Sequence, residues 1–164
     1  MKIMIAQTEK GQEKLLGELR EKLSESCPEA VVEIVRDDAR RQASYEDIRR
    51  ADPDLFINFD LAGFEQTTLT GGVVYNLLNA KQIQILLGHN LKNEKYLEKQ
   101  LSISMFFYCA DHDYYEYLLK TYPDIPYLKE ISQNAGMADV LCQIVMEIAK
   151  MCNIKHATSG GIAE

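Results

Sequence analysis

Four places in this chain put chemically useful side chains just after an apolar run. The stretch "FINFDLAGFEQTTLTGGVVYNLLN", Phe56 to Asn79, closes its apolar part on Asn58 and Asp60. Two residues apart, they would share one face of a strand, and a carboxylate there could take a proton from a ligand. The second place follows at once: Gly63, Thr67, Thr68, Thr70, Gly71 and Gly72 precede a helical pattern. Hydroxyls, small residues and the free N–H groups of a helix start make an anion site. The same residues also allow a plainer reading, with Thr70 capping the helix and Gly71–Gly72 letting it pack on the sheet. Third is His89, after "QIQILLG"; it can act as acid, base or hydrogen-bond donor, or sit exposed and idle. Fourth is "CADHDYYEY". Asp111 or Asp113 suits a helix N-cap. His112 between two acids lacks the further ligands a metal site needs. Tyr114, Tyr115 and Tyr117 could stack on a sugar or base, or pack on the sheet.

Several chemistries lack their motifs. After the first apolar run the chain reads "AQTEKGQEK", with neither GxGxxG nor GxxxxGK[ST]. Thr8 and Gly11 resemble a flavodoxin phosphate loop in two residues, but Thr8 also suits the N-cap of the first helix. FMN is therefore not expected, and no other cofactor is signalled. GxSxG and HExxH are missing, and no pair of carboxylates is placed for a glycosidase. Cys27, Cys109, Cys142 and Cys152 form no CxxC and no zinc spacing, so they read as small hydrophobes in a reducing compartment. No metal is expected.

The elements that must position these residues alternate. "KIMIA", "AVVEIVRD", "DLFINFD", "QIQILLG", "ISMFFYCA" and "IPYLKEI" read as strands. Between them lie helical patterns: Leu15, Leu16, Leu19 and Leu23 in the first, ended near Pro28, and "SYEDIRRADP" opening on a Ser44/Asp47 capping pair and stopped by Pro53. A short helix is expected from Gly72 to Ala80, then "NEKYLEKQL", then "DYYEYLLKTYP". The last helix, "MADVLCQIVMEIAKMCN", carries Met137, Val140, Leu141, Ile144, Val145, Ile148 and Met151 on one side. That side is either core or, with Met137, Met146 and Met151, a surface for a homodimer. Strands and helices in alternation predict a single three-layer Rossmann-like or flavodoxin-like α/β sandwich with a mainly parallel sheet of five or six strands. Its ligand site is expected beyond the carboxyl ends of the strands.

The bulk properties narrow the partners. The 164 residues fit one domain, expected over residues 1–153 with a flexible tail from 154. A net charge of -7 repels phosphate backbones, so a nucleic-acid role is disfavoured. The mixed run "RDDARRQASYEDIRR" reads as a solvated face. The opening "MKIMIAQ" turns polar too soon for a secretory signal, and no apolar run reaches membrane-span length. A cytoplasmic location is expected.

The order "DPDLFINFDLAGF", a helix, "KQIQILLGHN", then "LSISMFFYCADHDYYEYLLKTYPDIPYL" resembles the N-terminal, acceptor-side half of GT-B glycosyltransferases of the bacterial spore-maturation type, over residues 45 to 130. Loop composition at the predicted strand ends places the expected ligand site at Asn58, Asp60, Thr67, Thr70, Gly71, Gly72, His89 and Asp111, and under the resemblance Asp60 or His89 would deprotonate an acceptor hydroxyl. A GT-B enzyme has two such domains, and the second holds most donor contacts. The resemblance therefore implies either half of a two-subunit transferase, needing a glycosyltransferase partner subunit and a nucleotide sugar, or a non-catalytic relative. "DLFINFDLAGF" also resembles the third strand of response-regulator receivers, with Asp60 at the phosphoacceptor position. A receiver carries an acidic pair after strand one; only Glu9 stands there. What remains of that reading is a receiver-like protein-interaction domain.

Overall fold

The computed structural model describes residues 1–7, 11–36, 45–89, 91–132 and 135–154. Six strands form one sheet: β1 (Lys2–Gln7), β2 (Val31–Arg36), β3 (Leu55–Phe59), β4 (Lys81–Leu86), β5 (Met105–Cys109) and β6 (Leu128–Glu130). Every pairing is parallel, in the order β2-β1-β3-β4-β5-β6. The α-helices are α1 (Glu13–Ser26), α2 (Tyr45–Ala51), α3 (His112–Thr121) and α4 (Met137–Met151). The α/β sandwich expected from the strand–helix alternation is the fold, with all six strands parallel.

The central strands are buried on both faces because both faces are covered. Ile3, Ile5, Leu55, Ile57, Ile83 and Ile85 pack under α1 and α4, with Leu16, Leu19, Leu23, Leu141, Val145 and Ile148. The alternate residues Met4, Phe56, Leu86, Met105 and Phe107 pack against Ile48, Phe64, Tyr75, Leu97, Tyr114 and Leu118. The apolar side of α4 is thus core, lying on the sheet and on α1, which removes it as a free dimer surface. Met151, at the end of the helix, is its exposed apolar residue.

Three local expectations change. First, α1 begins at Glu13 with Gln12 at its N-cap. Gly11, two residues before the helix, sits at φ +100 in the left-handed region that glycine adopts freely. Second, the β3–β4 crossover contains no α-helix. It holds one 3-10 helix, Val74–Leu77, after a small hairpin closed by the antiparallel bridge Thr67–Val73. Two adjoining β-branched valines, two glycines and two asparagines between 71 and 79 make this a poor helix sequence. Third, the segment "NEKYLEKQL" forms a second 3-10 helix, Glu94–Glu98. Thr8, Glu9, Ser44 and most of the acid–arginine run lie outside the described residues, as does the expected tail beyond Ile154. Ile154 itself donates its N–H to the Ala149 carbonyl. Among the described residues no helix is long and apolar enough to cross a membrane.

Candidate functional site

The candidate site is built at the carboxyl ends of β3, β4 and β5. The chain leaves β3 through two consecutive non-glycine residues in the left-handed region, Asp60 (φ 48) and Leu61 (φ 58). Such backbone persists only where its surroundings hold it. Here they do. Asp60 Oδ1 accepts from the Leu87 N–H at 2.7 Å and from the Gly88 N–H at 3.3 Å, and the Asp60 N–H donates to the Ile85 carbonyl. The Asp60 carboxylate therefore fastens the loop leaving β4, the loop that carries His89.

His89 Nε2 lies 2.9 Å from Asp111 Oδ2, and both side chains are about half exposed. The second Asp111 oxygen, Oδ1, accepts from the Tyr114 N–H at 2.8 Å, so Asp111 caps α3 as its sequence position predicts. These two contacts, the Tyr114 N–H first and His89 second, hold the Asp111 carboxyl below the usual carboxylate range. His89 Nε2–H donates to the carboxylate, which leaves Nδ1 as the ring nitrogen free to face a ligand. The rings of His89 and Tyr114 lie 5.1 Å apart, tilted by 52°.

Behind the pair stands a clasp that the residue pattern alone did not reveal. Glu94 accepts three phenol hydroxyls: Tyr114 at 2.5 Å, Tyr117 at 2.9 Å and Tyr122 at 3.0 Å. Burial and the Glu94 charge push the Tyr114 and Tyr122 hydroxyls up, so they stay protonated donors. Asn93, beside Glu94, donates to the Leu61 carbonyl and to Glu65. The loops after β3 and β4 and the start of α3 are thereby tied to one another. Tyr114 and Tyr117, three apart on one helix face, were the available signal for the clasp.

A cleft of about 490 Å³ opens beside this cluster, lined by Ala110, His112, Glu130, Ile131 and Ser132. Ala110 and His112 flank Asp111 in the chain. His112 Nδ1 meets Glu130 Oε1 at 3.1 Å, so the carboxyl end of β5 carries two imidazole–carboxylate pairs. Among the described residues no three His, Cys, Asp or Glu side chains gather to hold a metal. Cys109, at the same strand end, is buried and donates its thiol to the Asp111 carbonyl; desolvation pushes that thiol up, away from reactivity.

The other expected residues go elsewhere. Asn58 does not share a face with Asp60, because the left-handed turn at Asp60 ends the pleat; Asn58 is buried beneath the β3–β4 crossover. Thr67 is in the hairpin bridge. Thr70, Gly71 and Gly72 form the hairpin tip: the Gly71 N–H donates to the Thr68 carbonyl and the Gly72 N–H to Thr68 Oγ1, while the Thr68 and Thr70 hydroxyls pair at 3.0 Å. With those amides bonded and no α-helix beginning at Gly72, the anion cradle expected there is not formed. Gly63 (φ 79) is required on its own account, because a Cβ there would run into the Tyr75 hydroxyl. No family model matches the chain, and neither a curated protein nor a solved structure does.

Proposed function

We propose that this chain is a Rossmann-like ligand-binding domain that presents the His89–Asp111 pair to a hydroxyl group, in the manner of the acceptor side of a GT-B glycosyltransferase. The pair itself carries the reading: an imidazole and a carboxylate 2.9 Å apart, half exposed, at the carboxyl ends of adjacent parallel strands. In an α/β sheet that is where ligands bind. The role offered earlier to Asp60 or His89 goes to His89, because Asp60 is committed to two backbone amides.

In this reading an acceptor hydroxyl approaches His89 Nδ1. Its oxygen attacks the anomeric carbon of a nucleotide sugar held by a partner subunit. The C–O bond to the diphosphate breaks, and the hydroxyl proton passes to Nδ1. Asp111 stabilises the imidazolium formed. The cleft beside Asp111 receives the remainder of the acceptor.

The test is titration of the 15N-labelled protein with hydroxylated sugars and with nucleotide sugars. Shifts at His89, Ala110, Asp111 and Ile131, lost in His89→Gln, support the reading. Shifts confined to other surfaces, or no binding by either class, overturn it.

One observation favours a non-catalytic interaction domain instead. Leu69, at the hairpin tip, is fully exposed, and Ile103 is 86% exposed. An apolar side chain held out on an ordered turn suits insertion into a partner protein. A concentration-dependent mass in light scattering that Leu69→Ser abolishes would support that reading; a strict monomer removes self-association from it.

A further inference from the structure

Three amide side chains sit side by side on the sheet face beneath the β3–β4 crossover: Asn58 on β3, and Gln82 and Gln84 on β4. Each is at most 1% exposed. Asn58 and Gln84 are register partners across the two strands, and Gln82 and Gln84, two apart, share one face of β4. Amides are costly in such a place, and the crossover explains them. A helix satisfies its own carbonyls; a crossover without one does not. Asn58 Nδ2 donates to the Ala62 carbonyl at 2.9 Å, and Gln82 Nε2 to the Tyr75 carbonyl at 2.7 Å. The two ends of the crossover are thus pinned to the sheet by strand side chains. Asn58 Nδ2 also donates to Gln84 Oε1 at 3.0 Å, which links the two strands.

Three buried polar atoms remain without a protein partner: Asn58 Oδ1, Gln82 Oε1 and Gln84 Nε2. They are two acceptors and one donor. A guest that satisfies all three must donate twice and accept once. A single alcohol hydroxyl has one proton to give, and an ammonium has nothing to accept with. A direct Gln84 Nε2–Gln82 Oε1 contact would leave Asn58 Oδ1 bare. One water molecule has the right valence, and about three bonds to otherwise unsatisfied buried groups is the usual count for an internal water.

We propose that one internal water molecule is bound between Asn58, Gln82 and Gln84, donating to Asn58 Oδ1 and Gln82 Oε1 and accepting from Gln84 Nε2. It completes a continuous row from the Ala62 carbonyl to the Tyr75 carbonyl and makes the helix-free crossover a fixed part of the fold. The inference is independent of the proposed activity, and it places Asn58 in a structural water site.

The experiment uses the wild-type chain. Water-to-amide cross-relaxation is recorded on the labelled Gln84, Gln82 and Asn58 side chains, alongside a crystal structure fine enough to show ordered water. The expected result is a long-lived water cross-peak to the Gln84 side-chain NH2 and one density peak within hydrogen-bonding distance of all three atoms. Gln84→Met, which removes the donor with little change in volume, should remove the density peak and the water cross-peaks read at the remaining Gln82 and Asn58 side-chain NH2 groups. Direct amide-to-amide contact without a water cross-peak overturns the proposal, as does density for any guest larger than water.

Discussion

Asp60 lends itself to a substitution series that separates its two burdens, a left-handed backbone and a carboxylate on two amides. Asp60→Ala removes both hydrogen bonds and places Cβ-bearing alanine at φ 48. The 2.7 Å bond to the Leu87 N–H is a charge-assisted one, of about 1.5 kcal/mol at this half-buried position, and the 3.3 Å bond adds roughly 0.5 kcal/mol. Left-handed geometry costs alanine about 1 kcal/mol. The sum is about 3 kcal/mol, which lowers the melting midpoint by roughly 6–12 °C in a domain of this size. Asp60→Gly loses the bonds and relieves the backbone, so about 2 kcal/mol is expected. Asp60→Asn keeps an acceptor oxygen and tolerates the left-handed region, so about 1 kcal/mol is expected. Urea unfolding with an unchanged m-value gives the three differences. The 15N shifts of the His89 ring give a second reading: the Nε2–H tautomer should be retained in Asp60→Asn and lose definition in Asp60→Ala. Equal losses for alanine and glycine would show that no strain is held at Asp60. Three variants within about 0.5 kcal/mol of wild type, the usual span of an inert surface change, would show that the carboxylate does not fasten the β4 loop.

The Glu94 clasp predicts an asymmetry: Glu94→Ala strands the buried hydroxyls of Tyr114 and Tyr122 and should cost roughly 2–5 kcal/mol, while Tyr114→Phe, which strands no donor, should cost about 1 kcal/mol by urea unfolding. At Asp111 the folded carboxyl lies below its usual 3.8, so its contribution to stability is full above that value and disappears as pH falls through the lowered one. The difference between wild type and Asp111→Asn should accordingly shrink in urea titrations taken from neutral to strongly acid pH. Cys152 is the half-exposed thiol, whereas Cys27, Cys109 and Cys142 are buried and desolvation pushes Cys27 and Cys109 up. A thiol reagent should therefore modify Cys152 first in the native state, as mass spectrometry of timed samples will show. Gly63→Ala meets the Tyr75 hydroxyl, but Gly71→Ala has open space and only its φ of 81 to contend with. The second should cost about 1 kcal/mol and the first clearly more, read from thermal midpoints.

The fold was legible because its signal is repeated. Five of the six strands are five or six residues long, bounded by turns and rich in Ile, Val and Phe, and a strand buried on both faces needs no finer pattern. The β3–β4 crossover differs from its pattern because Val73, Val74, Leu77 and Leu78 fall at helical spacing while the stretch is too short and too rich in glycine and asparagine for spacing to decide. Of these four, Val73 and Leu78 are buried while Leu77 is exposed, and the segment is anchored instead through Tyr75, which Phe56 and Phe64 meet edge-on. His89 and Asp111 could each be placed at a strand end from the sequence, but their pairing depends on the adjacency of β4 and β5. Asp60 was picked out for its carboxylate, whose use here is to bind backbone, a role that residue type alone does not distinguish from catalysis. Glu94 looked like one more charge in a polar segment until three tyrosines from α3 and its end converged on it.

The hairpin between Thr67 and Val73 offers a practical opening. Its base is closed by backbone bonds, and the Leu69 side chain at its tip is fully exposed. A short tag or a fluorescent label inserted between Leu69 and Thr70 would be carried on a rigid stem away from the sheet, where exposed loop tips accept added chain.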